Sequence, residues 1–298
     1  MRMQYCNKAS QIVVLAISVC VMMSSCSRTP RASTAGLRDV RVRLDWTPWS
    51  PHAALYAAQD QGYFEKEGLR IKLYVPPDPE ATIKLVAAGQ DDLGISYMTD
   101  MILAREQGFK VVSVAALLAH PLNCIMTLKR SGLDAPAKLK GKVIGTTGVP
   151  SDQAFLDGVL TRNGVKKGEY KLINIGFNLA QALKAGQVDA IVGAYWPWEG
   201  IKMDEEGVGV NVLKFQGVPD YYELVLITRE DLAAKDPELL RKFLRAMVAG
   251  QTFVQQHTDK AVEILHNVSP DLSREFLTAS LNAILPLMEF PGGPFHQE

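Results

Sequence analysis

Six consecutive residues, Tyr195-Trp196-Pro197-Trp198-Glu199-Gly200, bring three aromatic rings and one carboxylate together. Aromatic rings supply flat apolar faces for stacking. A carboxylate among them accepts hydrogen bonds from an amino group or balances a cation. The combination suits a small, flat, nitrogen-rich molecule. The competing reading is a core aromatic cluster with Glu199 on the surface. Two Trp flanking a Pro speak against it, because they make a poor strand interior. Pro197 fixes its own φ and is expected to keep the segment extended. Extension would send Trp196 and Trp198 to the same side, where they would form one wall of a cleft.

The run Ala190–Ala194 before this segment reads as a buried strand, preceded by a helix that stops at Gly186. In open α/β sheets such a strand edge is where ligands bind. Strands are predicted at Val40–Leu44, Leu69–Tyr74, Leu93–Ser96, Val111–Leu118, Lys142–Thr146, Lys171–Ile173 and Glu223–Thr228. Helices are predicted between them, including His52–Gln61, a helix capped at Asp78 and one capped at Ser151. This alternation implies an α/β fold with largely parallel sheets and helices on both faces. After Thr228 the pattern turns helical, and Glu238–Gln256 carries Leu239, Leu240, Phe243, Met247 and Phe253 on one stripe.

A short repeat suggests two similar lobes. Ala88-Gly89-Gln90-Asp91-Asp92 leads through a strand to Tyr97, and Ala185-Gly186-Gln187-Val188-Asp189 leads through another to Tyr195. In both, Gly suits the position just past a helix end, where φ is positive. Crossings between lobes are expected near Lys129–Ser131 and Lys214–Pro219. Residues 38–129 and 218–298 then form lobe 1, and 130–217 form lobe 2. The cleft between them is the natural ligand site.

Several further residues belong to that cleft or to ordinary structure. Asp45 either contacts ligand or caps the turn after the first strand. One of Trp46 and Trp49 is expected to line the cleft, whereas His52, Tyr56 and Tyr63 read as helix-terminal or packing residues. Tyr97 ends a strand beside the cleft, and Asn123 either makes a turn or reaches the ligand. Thr146-Thr147-Gly148-Val149-Pro150-Ser151 reads as a plain helix cap, with no phosphate-binding loop. Tyr221 and Tyr222 alternate at a strand start, and Tyr222 is the one expected to face the cleft.

Composition excludes other classes. The 298 residues carry 32 Lys and Arg against 32 Asp and Glu, so no nucleic-acid partner is expected. Arg2 and Lys8 precede the apolar run Ile12–Met23, and Ser24 and Ser25 lead into Cys26. Residues 1–26 therefore read as a lipoprotein signal, with Cys26 carrying lipid and 27–37 as a tether; an ordinary secretory signal is the alternative. Either places the protein outside the cytoplasm, and the first ties it to a membrane. Cys124 alone would remain, which leaves no disulfide and no Cys-based metal site, and the His residues lack metal-ligand spacing.

The chain resembles the NMT1/THI5-like periplasmic solute-binding proteins, especially the thiamine-pyrimidine-precursor (formylaminopyrimidine) binding lipoproteins of ABC importers. The stretches that carry the resemblance include Leu44-Asp45-Trp46-Thr47-Pro48, His120-Pro121-Leu122-Asn123, Gly176-Phe177-Asn178-Leu179, Trp196 through Gly200, and Pro219-Asp220-Tyr221-Tyr222-Glu223-Leu224. It implies a two-lobed, type II periplasmic-binding-protein fold that closes on an aminopyrimidine, an ABC permease as partner, no cofactor and no enzymatic activity. It also implies that Asp45, Tyr195 and Glu199 grip the polar edge of the ring. Trp49 stands where the family has Asn, a departure expected to reshape the pocket. Two alternatives stay open. One is a binding protein for another flat heterocycle or a small anion, such as a riboflavin-like ring, a sulfonate or nitrate. The other is an enzyme like the family's eukaryotic pyrimidine synthases, which carry a Cys-rich motif that this chain lacks.

Overall fold

Among the described residues, ten short strands assemble into two five-stranded sheets. The computed structural model describes residues 36–78, 80–213 and 221–289. The signal, Cys26, most of the tether and the return crossing at Lys214–Pro219 lie outside these residues. In chain order the strands are β1 (Arg38–Arg43), β2 (Leu69–Tyr74), β3 (Leu93–Ser96), β4 (Val111–Leu118), β5 (Asn123–Leu128), β6 (Val143–Thr146), β7 (Lys171–Asn174), β8 (Ala190–Tyr195), β9 (Val210–Leu213) and β10 (Glu223–Arg229).

The first sheet has the order β2-β1-β3-β10-β4 and the second β7-β6-β8-β5-β9. Each places three parallel strands beside an antiparallel fourth, β10 or β5. These two inserted strands are interior to their sheets and almost fully buried. The sheets are thus mixed rather than largely parallel. β5 already pairs within the second sheet, so the first crossing falls between Leu118 and Asn123. Lys129–Ser131, where the crossing was expected, is a short 3-10 turn after β5.

The repeat read in the sequence is structural. Asp92 and Asp189 occupy matching places at the starts of β3 and β8. Asp92 accepts the Arg41 N–H through Oδ2 at 2.8 Å, and Asp189 accepts the Val143 N–H through Oδ2 at 2.9 Å. Each carboxylate thereby pins the neighbouring parallel strand in register.

Helices after β10 complete the first half. Asp236 caps the helix Pro237–Gln256 by accepting the Leu239 N–H at 3.1 Å, with Pro237 at the first helical position. Its buried stripe packs on the helix Ala53–Asp60. The contact is close at Gly250, where a Cβ would stand 2.1 Å from the Ala54 carbonyl oxygen. The largest apolar cluster runs from the first sheet through these helices and takes in Trp49, Tyr195 and Trp198. Two smaller clusters include residues of the second sheet, and a fourth includes Val111 of β4 and Val225 of β10.

Candidate functional site

Between the two sheets lies a cavity of about 450 Å³. Tyr97, which follows β3, and Tyr221 and Glu223, at the start of β10, line it from the first sheet. Asn123 of β5, Gly193 and Tyr195 of β8, and Thr147, Asp152 and Phe155 around the start of the helix Pro150–Arg162 line it from the second. Phe177, just past β7, adds a ring.

A bulge shapes the floor. Cys124 pairs with Ala194 and Ile125 with Val192, so Gly193 is an extra residue on β8. Its φ of +83° belongs to the left-handed region, and a Cβ there would stand 2.4 Å from the Asp152 carboxylate. Only glycine meets both demands. The Gly193 N–H, freed from the ladder, donates to Asn123 Oδ1 at 3.0 Å. Asp152 is held in place by hydrogen bonds to Oδ2 from the Thr146 hydroxyl (2.7 Å), the Thr147 hydroxyl (2.7 Å) and the Thr147 N–H (3.1 Å).

The electrostatics are one-sided. Glu223 is buried, and burial first, then the Asp100 charge, push its carboxyl up to about 8. Burial also raises Asp152, against the pull of its Thr147 and Thr146 hydrogen bonds. None of the lining residues is Lys, Arg or His. Tyr97 and Tyr195 meet side chain to side chain through a hydrogen bond, and burial keeps both phenols protonated. Tyr221 shares a hydrogen bond with Glu223. The cavity therefore presents carboxylates, phenols and an amide between aromatic walls. Such a lining receives N–H donors and offers an anion no countercharge.

The other expected site residues stand behind this lining. Asp45 is buried, with Oδ1 2.7 Å from His52 Nε2 and Oδ2 without a partner. The Trp49 backbone N–H donates to His52 Nδ1 at 3.3 Å, so Nε2 carries the proton and donates to Asp45. Asp45 bears on the cavity only through its charge, which acts on Tyr97, Tyr195 and Glu223. Glu199 is also buried, accepts the Tyr195 N–H at 2.7 Å, and is pushed up to about 7 by burial. It fixes the end of β8 and does not line the cavity.

The tryptophans correct a sequence expectation. Trp196–Gly200 is a single π-helical turn, not an extended segment, and Pro197 sits in its first positions, where its fixed φ fits a helix start. The two indoles consequently part company. Trp196 packs with the second-sheet cluster, while Trp198 joins the large one, 5.3 Å from Trp49 and 5.0 Å from Phe276 between ring centroids. Trp46 lies 4.6 Å from Trp198 and stacks on Phe177 at 5.5 Å, outside the lining. Trp49 is fully buried and stacks on Tyr195 at 5.9 Å, so it backs the pocket through that ring. The aromatic cluster is a joint between the two halves.

Tyr222 is corrected as well. It packs in the cluster with Met98 and Phe109, and Tyr221 takes the cavity. Tyr221 and Glu223 are two residues apart on extended chain and so share a side. Asp152, Phe155 and Gly193 were not singled out in the sequence, Thr147 was read only as part of a helix cap, Tyr221 was passed over for Tyr222, and Phe177 and Glu223 stood only in the stretches that carry the resemblance. One available signal was Asp152 at the third helical position, from which a carboxylate reaches back to the residues before the cap.

Comparisons with known proteins agree with this architecture. The family described as NMT1/THI5 like matches residues 49–261. A formylaminopyrimidine-binding protein of Halalkalibacterium halodurans is 34% identical over 294 residues, covering 97% of this chain and 89% of that protein. A 4-amino-5-hydroxymethyl-2-methylpyrimidine phosphate synthase of Saccharomyces cerevisiae is 29% identical over 244 residues, covering 78% of this chain and 72% of that protein. Among solved structures, the periplasmic aliphatic sulphonate-binding protein SsuA of Escherichia coli superposes with a TM-score of 0.69 at 17% identity, covering 88% of this chain and 81% of that one. That likeness bears on the fold alone, and the fold is the two-lobed α/β architecture of the periplasmic binding proteins. With a matching family profile over most of the sheet-forming residues and a relative above 30% identity along nearly the whole chain, this chain belongs to the NMT1/THI5-like family.

Proposed function

We propose that this chain is an extracytoplasmic solute-binding protein that holds a small aminopyrimidine, a thiamine pyrimidine precursor, between two closing lobes and hands it to an ABC importer. Lobe 1 is built on the first sheet and lobe 2 on the second. The observation that carries the reading is the cavity between them, with aromatic walls, two carboxylates and no cationic side chain in its lining. A 4-aminopyrimidine offers an amino donor beside ring-nitrogen acceptors. Glu223 or Asp152 takes the donor, and a Tyr97 or Tyr195 hydroxyl serves a ring nitrogen. Asn123 completes the polar edge. Asp45, Glu199, Trp46 and Trp198 act one layer out, by holding these groups, and Tyr221 takes the place first given to Tyr222.

The name of the Halalkalibacterium halodurans relative supports this ligand class. The absence of a cationic side chain from the lining argues against nitrate or a sulfonate, which would find no countercharge there. Titration calorimetry with an aminopyrimidine, a riboflavin-like ring, nitrate and a short alkanesulfonate tests the proposal. The aminopyrimidine is expected to bind tightest and to be recovered unchanged. Saturable binding of an anion alone would overturn the ligand, and chemical conversion of the pyrimidine would favour the synthase-like alternative.

The anchor is the lipid on Cys26. Among the described residues no helix is long and apolar enough to cross a membrane. Fractionation of cells carrying wild type or Cys26→Ser tests the anchor, and equal release of both into the soluble fraction would count against it.

A further inference from the structure

The helix Pro150–Arg162 begins without a cap of its own. Its N-cap residue is Val149, whose side chain has no hydrogen-bonding atom, and no side-chain cap bond forms there. The sequence placed Ser151 at this cap, but Ser151 sits one residue inside Pro150, which opens the helix. The acceptor comes from elsewhere. Asp100, in the helix Met98–Glu106 that follows β3, accepts the Ser151 N–H through Oδ1 at 3.1 Å. The Ser151 hydroxyl also bonds to the same carboxyl. One helix belongs to the half built on the first sheet and the other to the half built on the second.

Asp100 is only 6% exposed, and its Oδ2 has no partner. It also lines a second cavity of about 540 Å³, beside Ile83, Leu103 and Phe109 of its own half and Val149 and Pro150 of the other. A buried carboxylate is costly unless something repays its desolvation. Here the repayment is the positive end of a helix, where free N–H groups point outward and negative charge is favoured.

We propose that Asp100 is a clasp, capping the helix of the opposite half in trans and holding the two halves closed over the bound ligand. The inference rests on the reading of two lobes that close. When they part, the helix loses its cap and Asp100 regains water. The clasp therefore acts on the lifetime of the closed complex and not on the encounter with ligand. Asp100 is a positioning residue, since it does not line the ligand cavity.

The test compares wild type, Asp100→Ala and Asp100→Asn by stopped-flow Trp fluorescence with the aminopyrimidine, and by small-angle scattering without it. Asp100→Ala is expected to raise the dissociation rate about two- to thirty-fold, the usual span for loss of an N-cap, with association little changed. Asp100→Asn keeps an acceptor oxygen and is expected to recover most of the residence time. A purely structural role would lower thermal stability without separating the two rates. Equal dissociation from wild type and Asp100→Ala would overturn the clasp. Should the pyrimidine bind to none of the three, the ligand assignment falls and scattering decides the clasp. A larger radius of gyration for Asp100→Ala then supports it, and an unchanged radius overturns it.

Discussion

The two sheets follow one plan, and their differences lie where the cavity between them forms. In each, a helix ends on an Ala-Gly-Gln run, an Asp pins the neighbouring strand, and the strand delivers a tyrosine. From Ala88 to Tyr97 the first unit runs straight. From Ala185 to Tyr195 the second carries one extra residue, and the bulge at Gly193 accommodates it. The unbulged unit gives Tyr97. The bulged one gives Tyr195 together with a free N–H for Asn123 and room for Asp152. The two phenols still meet across the cavity. A duplicated framework thus places the symmetric pair, and a single inserted glycine makes one side a polar floor.

The comparison breaks most severely at that glycine. Gly193→Ala forces a side chain into the Asp152 carboxylate and a non-glycine residue into left-handed backbone. The expected loss of stability is about 2–5 kcal/mol, from backbone strain and overpacking together. Urea denaturation measures it, and a shift below about 1 kcal/mol would show that the bulge relaxes freely.

Glu223 supplies the first sheet's counterpart to Asp152. Measured above pH 8, where the carboxyl is ionised, Glu223→Gln is expected to weaken aminopyrimidine binding about ten- to a hundred-fold, the value of a charged hydrogen bond. Stability should move the other way. The folded-state carboxyl sits near 8 against an ordinary 4.5, so the native protein favours its protonated form. That contribution is complete below the ordinary value and is lost as pH rises through about 8. The Gln variant escapes the loss, and its melting temperature should overtake the wild type's between pH about 5 and 9. Parallel melting curves across that range would mean that Glu223 titrates as an ordinary surface acid.

The smallest effect tests the symmetry itself. Tyr97→Phe and Tyr195→Phe each remove one member of the phenol pair, at a cost of about 0.5–1.5 kcal/mol in stability. Because the hydroxyls share a bond, the double variant should cost less than the sum. Full additivity would separate the two tyrosines and end the comparison at the level of the strands.

Much of the framework was legible in the sequence because periodicity and caps are local. Eight of the strands and the long helix Pro237–Gln256 announce themselves through apolar runs and punctuation. β5 and β9 did not. β5 follows His120-Pro121, which reads as loop, and β9 shows no fully buried side. The site was harder. Tyr97, Asn123 and Tyr195 could be placed because they sit where strands begin or end. Trp196 and Trp198 misled because Pro197 serves an extended chain and a helix start equally well, and local sequence does not say which. The Tyr221 or Tyr222 choice depended on recognising Glu223 as an inward carboxylate. That in turn depends on burial by the second sheet, which only the assembled fold supplies.

The position of β10 also sets the two sheets apart in how much of the chain each draws its strands from. Every strand of the second sheet lies between Asn123 and Leu213, so that sheet completes from one uninterrupted stretch of chain. The first sheet does not. Its fourth strand, Glu223–Arg229, comes in the chain only after every strand of the second sheet, and it is what joins β3 to β4. Pairing across so much intervening chain is slow. We expect the first sheet to close later than the second, and until it does β3 and β4 offer open edges where a neighbouring chain could add itself.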